Sequence, residues 1–221
     1  KGDLLSLDFE KTYYTFKNIK REDADIWITD SLEILESVTK NKLSVYRGGG
    51  YFSDVWNKYG HILKSFGITI DSTVIPGYYD TSCYGTIDYR KVSKAPFWSF
   101  DYNPTIMESD GSFTAIPISS RGKSIRVLLL LILGKVDKGV TLGRSMPKRT
   151  LDRLYSLFLS RKLPLTVDGK SRAKITREFI CNAREDQFVV VGHPKTITNG
   201  VLDEIESLIT ADYIEISPSI I

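Results

Sequence analysis

Val45-Tyr46-Arg47-Gly48-Gly49-Gly50-Tyr51-Phe52 is the stretch from which the fold is read. A β-branched and aromatic run, Ser44 to Tyr46, ends in an arginine; three glycines follow, and a helical pattern starts near Ser53. This is the pattern of a buried strand that stops at Arg47 and turns sharply into a helix. Consecutive glycines permit positive φ and let a ligand come close to the backbone. In α/β architectures ligands bind at such strand ends. The same residues also fit a plain flexible turn, since a glycine-rich loop by itself is a weak signal.

Outward from this turn the chain alternates. Asp3 to Phe9 has β character and ends near two carboxylates, Asp8 and Glu10. Asp23 to Lys40 carries apolar residues largely at helical spacing after an acidic start. Leu43 to Arg47 reads as a strand. Ser53 to Phe66 reads as a helix, with Ser53 as N-cap and Gly67 as stop. Ile68 to Asp71 is a further short strand. Strand, helix, strand, helix, strand implies parallel β/α units joined by right-handed crossovers.

From Val74 to Gly111 the rhythm breaks into a stretch rich in Tyr, Pro, Gly and Asp. A long irregular insertion in a compact domain is usually functional or disordered, and this many aromatics argue against disorder. Aromatic faces beside Asp and Asn suit a sugar, with its apolar CH faces and hydroxyls; a small satellite core under a loop fits equally well. Phe113 to Ser119 returns to strand character, with Pro117 marking an edge or a strand end. Ile125 to Gly134 is apolar throughout, and Arg149 to Lys162 is an amphipathic helix. Leu163 to Val167 reads as a strand ending at Asp168, and Ser171 to Asn182 as a helix with Ser171 as cap. Phe188 to Gly192 reads as a buried strand that ends at His193, Thr198 to Leu208 as a helix, and Ala211 to Ile216 as a last strand.

The bulk properties narrow the function classes. With 221 residues and 42% apolar content the chain suits one soluble domain, 1–221. The net charge of +3 is small and the basic residues are dispersed, which argues against nucleic acid as the main partner. Two cysteines, Cys83 and Cys181, far apart and outside any zinc spacing, argue against a disulfide framework or structural zinc. The longest apolar run, Val127 to Leu133, is too short to span a bilayer. No signal peptide is read at the start, which leans cytoplasmic, although the first residue is Lys1 rather than Met and upstream sequence is expected to be lacking.

Of the two histidines, His61 lies within a helical pattern, while His193 emerges from an apolar strand and is the candidate general acid or base. A histidine capping the next loop is the bland alternative. Arg47 and Asp71 end two other strands, and polar residues at the ends of parallel strands converge on one face. An Arg47–Asp71 pair would orient a neighbour.

Taken together, these residues resemble a known family. Arg47-Gly48-Gly49-Gly50-Tyr51 is similar to the third motif of the polysaccharide deacetylases of the NodB-homology class, carbohydrate esterase family four, in the subgroup with an Arg-Ala-Gly-Gly-Tyr version. Phe66-Gly67-Ile68 with Asp71-Ser72-Thr73-Val74, then Tyr89-Arg90 with Pro96-Phe97-Trp98, then Ala115 to Ser119, resemble the segments that follow. Val191-Gly192-His193-Pro194-Lys195 resembles the final motif. The resemblance implies a distorted (β/α) barrel, here incomplete, that deacetylates a glycan with a divalent metal such as zinc. It implies His193 as general acid, Arg47 as the residue orienting a catalytic aspartate, and Asp71 as support for the histidine. Gly49 and Tyr51 in the glycine turn, with Tyr79 and Trp98 in the aromatic stretch, are the candidate carbohydrate-binding residues. The family's metal-binding histidine pair has no counterpart here. Asp8, 39 positions before Arg47, falls with Glu10 where that pair would stand, so these two carboxylates are the candidate metal ligands.

Three functions are therefore expected to compete. One is a metal-dependent deacetylase acting on a polysaccharide or glycan intermediate. Another is a degenerate relative that binds carbohydrate through Tyr78, Tyr79, Tyr84 and Trp98 without turnover. The third is a partner in glycan assembly, recognised by an exposed apolar patch.

Overall fold

The computed structural model describes residues 21–82, 85–123, 159–183, 187–193 and 196–210. These form a mixed α/β structure in which helix α1 (Arg21–Thr39) precedes β1 (Val45–Tyr46), a 3-10 turn (Gly49–Tyr51), α2 (Val55–Ser65) and β2 (Ile70–Asp71). Next come β3 (Tyr79–Ser82), β4 (Gly85–Asp88), β5 (Trp98–Phe100), β6 (Phe113–Ala115) and β7 (Ser120–Gly122). Then follow β8 (Lys162–Pro164), α3 (Lys170–Asn182) and α4 (Asn199–Ile209). The main sheet has the order β1-β2-β6-β5, with β1, β2 and β6 parallel and β5 antiparallel to β6. Two hairpin-like pairs, β3-β4 and β7-β8, stand beside it, and among the described residues no sheet closes on itself.

The β/α rhythm read from the sequence is present: β1 and β2 are neighbours and parallel, joined by α2. Burial explains why α2 lies where it does. Val55, Trp56, Tyr59 and Leu63 recur at helical spacing and are all buried. Trp56 is the hub of the core. Its ring centroid lies 5.2 Å from Phe100, 4.7 Å from Phe113 and 5.8 Å from Tyr46, so one side chain ties α2 to three strands of the sheet.

Several local expectations are revised. Ser53 does not cap α2. The N-cap residue is Asp54, and the Ser53 hydroxyl lies 3.2 Å from the Tyr89 hydroxyl instead. Ser171 does not cap α3, which starts at Lys170 after Gly169. Lys162 belongs to β8 rather than to a helix. The stretch 74–111 is not irregular throughout, since it holds β3, β4 and β5. β6 is an interior strand, and it tolerates the nearby proline through alternation. The N–H groups of Thr114, Ile116 and Ile118 donate to Thr69, Asp71 and Val74 at 2.8–2.9 Å, so Pro117 lacks a donor only on the other side.

Phe188 to Gly192 is extended but is not a regular strand. The Val189 N–H donates to the Ser119 hydroxyl at 2.9 Å rather than to a carbonyl, which interrupts the ladder. Val191 keeps a parallel bridge to Thr166. The elements expected at Asp3–Phe9, Ile125–Gly134 and Ala211–Ile216, and most of the helix expected at Arg149–Lys162, lie outside the described residues, as does Tyr84.

Candidate functional site

Two strand ends build the site. The first is the glycine turn after β1. Its shape is dictated by Gly48, where an added Cβ would meet the Phe52 carbonyl oxygen at 1.9 Å, and by Gly50, which sits at φ 60. Gly49, singled out from the sequence, has open space at its Cβ position. Tyr51 also adopts a left-handed φ of 66, which an L side chain rarely takes. It is held there from outside: the Tyr89 hydroxyl donates to the Tyr51 carbonyl at 2.7 Å.

Asp71 organises this turn from below. Its carboxylate accepts from the Trp56 indole N–H at 2.7 Å, from the Thr73 N–H at 3.0 Å and from the Thr73 hydroxyl at 2.7 Å. The Thr73 oxygen in turn accepts the Gly48 N–H at 2.8 Å. Asp71 is only 1% exposed. Burial pushes its carboxyl up to about 6, against the pull of Trp56 and Thr73 toward the charged form. The resemblance gave Asp71 to the histidine, but its contacts run to Trp56 and Thr73, because β2 and α2 meet around it in the core.

The second strand end carries His193. Thr166 and Val191 pair in parallel, and the chain leaves this pair at Asp168 and at His193. The His193 ring Nδ1 lies 3.0 Å from both carboxylate oxygens of Asp168, and the His193 backbone N–H donates to the same carboxylate at 2.8 Å. Thr166 and Thr196 hydroxyls each donate to Asp168 at 2.7 Å. Burial alone would raise the Asp168 pKa; the hydrogen bonds from Thr196, Thr166 and His193 outweigh it and hold the carboxyl below its ordinary range. An ionised carboxylate meets Nδ1 only as an acceptor, so Nδ1 carries a proton and Nε2 is the nitrogen that takes up or releases one. The His193 side chain is 49% exposed and open to a reactant.

Asp168 is thus the functional candidate that sequence reasoning missed. The signal was present, since Asp168 was read as a strand end just as Asp71 was, but which carboxylate reaches the histidine is a matter of strand neighbours.

The remaining candidates separate. Tyr51 closes the glycine turn and is half-buried. Burial is the largest influence on its hydroxyl, which is also acted on by Asp168 from the histidine side and by Arg47 from its own turn. Its ring meets Tyr78 edge-on at 6.1 Å. Arg47 is exposed and forms no hydrogen bond or ion pair with a described residue, Asp71 included. Tyr79 is half-buried, with the Arg90 guanidinium 4.5 Å over its ring. Trp98 is a correction. It is 3% exposed, its indole N–H donates to the Pro104 carbonyl at 2.9 Å, and its ring belongs to the core, so no sugar stacks on it. His61 is an exposed residue of α2. Asp8 and Glu10 lie outside the described residues, and among the described residues no group of three or more His, Cys, Asp or Glu side chains is placed to hold a metal ion. Among the described residues no helix is long and apolar enough to cross a membrane. No family model, curated protein or solved structure matches this chain.

Proposed function

We propose that the chain is a polysaccharide-deacetylase-like hydrolase that removes an acyl group from a glycan, in the distorted barrel architecture that goes with that family. The observation that carries this reading is the Asp168–His193 pair, a histidine fixed through Nδ1 by a carboxylate at the mouth of two parallel-paired segments. In the reaction, water adds to the acyl carbonyl and the bond from that carbon to the sugar nitrogen or oxygen breaks. Nε2 of His193 takes a proton from the attacking water and then passes it to the leaving amine or alkoxide, so that the acyl group leaves as acetate and the histidine returns to its starting form. Asp168 keeps the ring in one orientation and stabilises its protonated form.

The family would supply a divalent metal to activate the water. The described donor set does not fit one, so no step is routed through it, and Asp8 and Glu10 stand as the proposed ligands. Acetate release from an acetylated oligosaccharide, with zinc, manganese or cobalt added, tests the reading alongside elemental analysis of the purified protein. Wild type is expected to release acetate, and His193→Ala to lower the rate by about 10²-fold or more while the circular dichroism spectrum is retained. Undiminished turnover in His193→Ala removes the histidine from the reaction.

A binding-only relative is the second reading. It is favoured by Arg47, which the family uses to orient its catalytic aspartate and which here touches no described carboxylate. It predicts glycan binding with neither metal nor acetate release.

A further inference from the structure

The buried carboxyl of Asp71 meets two opposed demands. It is almost fully enclosed and forms no ion pair with a described residue, so no paired cation offsets the cost of its ionised form. Yet three donors already point at it. Oδ2 accepts the Trp56 indole N–H and the Thr73 hydroxyl, each at 2.7 Å, and Oδ1 accepts the Thr73 N–H at 3.0 Å. That set suits a carboxylate, which only accepts. A proton placed on either oxygen has to displace one of these donors. Oδ2, once protonated, donates along the same 2.7 Å line to Thr73 Oγ1, and the hydroxyl hydrogen must turn away inside the core.

The hydroxyl that must turn is also the one that fastens the glycine turn. Thr73 Oγ1 accepts the Gly48 N–H at 2.8 Å. The turn's own hydrogen bonds are longer, from the Tyr51 N–H to the Gly48 carbonyl at 3.2 Å and from the Phe52 N–H to the Gly49 carbonyl at 3.3 Å. Gly48 is also pressed against Thr73, whose methyl group lies 3.1 Å from its Cβ position, so a reoriented Thr73 is felt at Gly48 directly. The elements around Asp71 bring no cation to it. Tyr46 of β1 and Ala115 of β6 stand opposite it in register, and Trp56 meets it from α2. Burial keeps Tyr46 and Tyr89 neutral, and both also feel Asp71 and Asp54, the N-cap of α2.

From this chain of hydrogen bonds we infer that Asp71, Thr73 and Gly48 form a proton-sensitive latch on the glycine turn: ionised Asp71 holds the Thr73 hydroxyl in the orientation that fastens Gly48, and protonated Asp71 turns that hydroxyl and loosens the turn. Water supplies the proton and takes it back. The two arrangements exclude one another, which makes the element two-state rather than graded. Burial pushes the carboxyl up to about 6, so the latch closes as pH rises through that value and opens as pH falls. Tyr51 ends the turn at a left-handed φ of 66, and its presentation follows the latch. The inference concerns the scaffold of the turn and stands apart from the hydrolase reading.

The test is a pH titration of the isotope-labelled full chain, followed by nuclear magnetic resonance at the Gly48 amide and the Trp56 indole. Both signals are expected to shift with one shared midpoint of about 6. Asp71→Asn should remove both shifts. Thr73→Val, which lacks the hydroxyl, should keep the Trp56 shift and abolish that of Gly48. Thr73→Ser, which retains the hydroxyl, should keep both and guards against a folding failure of the valine variant. His193→Ala should titrate as wild type does, which separates the latch from the histidine and from any loss of acetate release. Independent midpoints at Gly48 and Trp56 in wild type, a Gly48 shift that survives Thr73→Val or is lost in folded Thr73→Ser, or a midpoint that disappears with His193 overturns the inference.

Discussion

At the residue scale, the glycine triplet is three different positions. Gly48 is packed against the Phe52 carbonyl, so Gly48→Ala forces the turn apart, whereas Gly49 faces open space. Thermal melts should show Gly49→Ala close to wild type and Gly48→Ala destabilised by about 1–3 kcal/mol through overpacking. The Asp168–His193 pair makes a second residue-level prediction. Asp168→Asn replaces an acceptor of four donors with an amide that presents its own N–H groups to them. On the proposed hydrolase reading turnover should fall by about 10²–10⁴-fold, as expected when the group that fixes a general acid is lost. A kcat that falls while KM holds assigns Asp168 to the chemistry, and an unchanged kcat excludes it.

At the scale of elements, α2 is fastened to β2 by one polar contact inside an aromatic core. The Trp56 indole donates to Asp71 while its ring fills the space between Phe100 and Phe113. Trp56→Phe keeps much of the ring but leaves the buried carboxylate one donor short, which should cost about 1–3 kcal/mol in a urea melt. Near-wild-type stability for this variant would mean that Thr73 alone satisfies Asp71. The contact also reaches the site. Asp71, Thr73 and Gly48 form a single chain of hydrogen bonds, so the same variant should loosen the turn that presents Tyr51. The pattern of apolar residues predicted α2 well, because a helix needs only its own periodicity to show which face is buried. Short strands such as β1 and β8 are set by their neighbours, and the apolar run before His193 shows the limit: it was read as a strand, yet a side-chain bond from Ser119 interrupts its ladder.

At the scale of the whole molecule, two carboxylates give stability opposite slopes with pH. Asp71 is raised to about 6, so the fold holds its proton more tightly than the unfolded chain does. Its contribution is full below the ordinary carboxylate pKa and is lost as pH rises toward about 6, amounting to about 3 kcal/mol at most. Asp168 is lowered, so its contribution is full above the ordinary value and is lost as pH falls through its folded value. Denaturant melts of wild type and Asp71→Asn across pH 4 to 7 should therefore converge as pH rises, and parallel curves would refute the buried-proton account.

The sequence by itself determined the strand–turn–helix at Arg47 to Ser53, the parallel β/α rhythm around it, the helices α1 to α4 and the prominence of His193. Each of these depends on local periodicity, on glycine or on the end of an apolar run. Only the tertiary structure decided that Asp168 rather than Asp71 holds the histidine and that Trp98 belongs to the core. The physical reason is the same in both cases. Which polar group meets which at a strand end depends on strand order and register between distant segments, and no local pattern of residues encodes that.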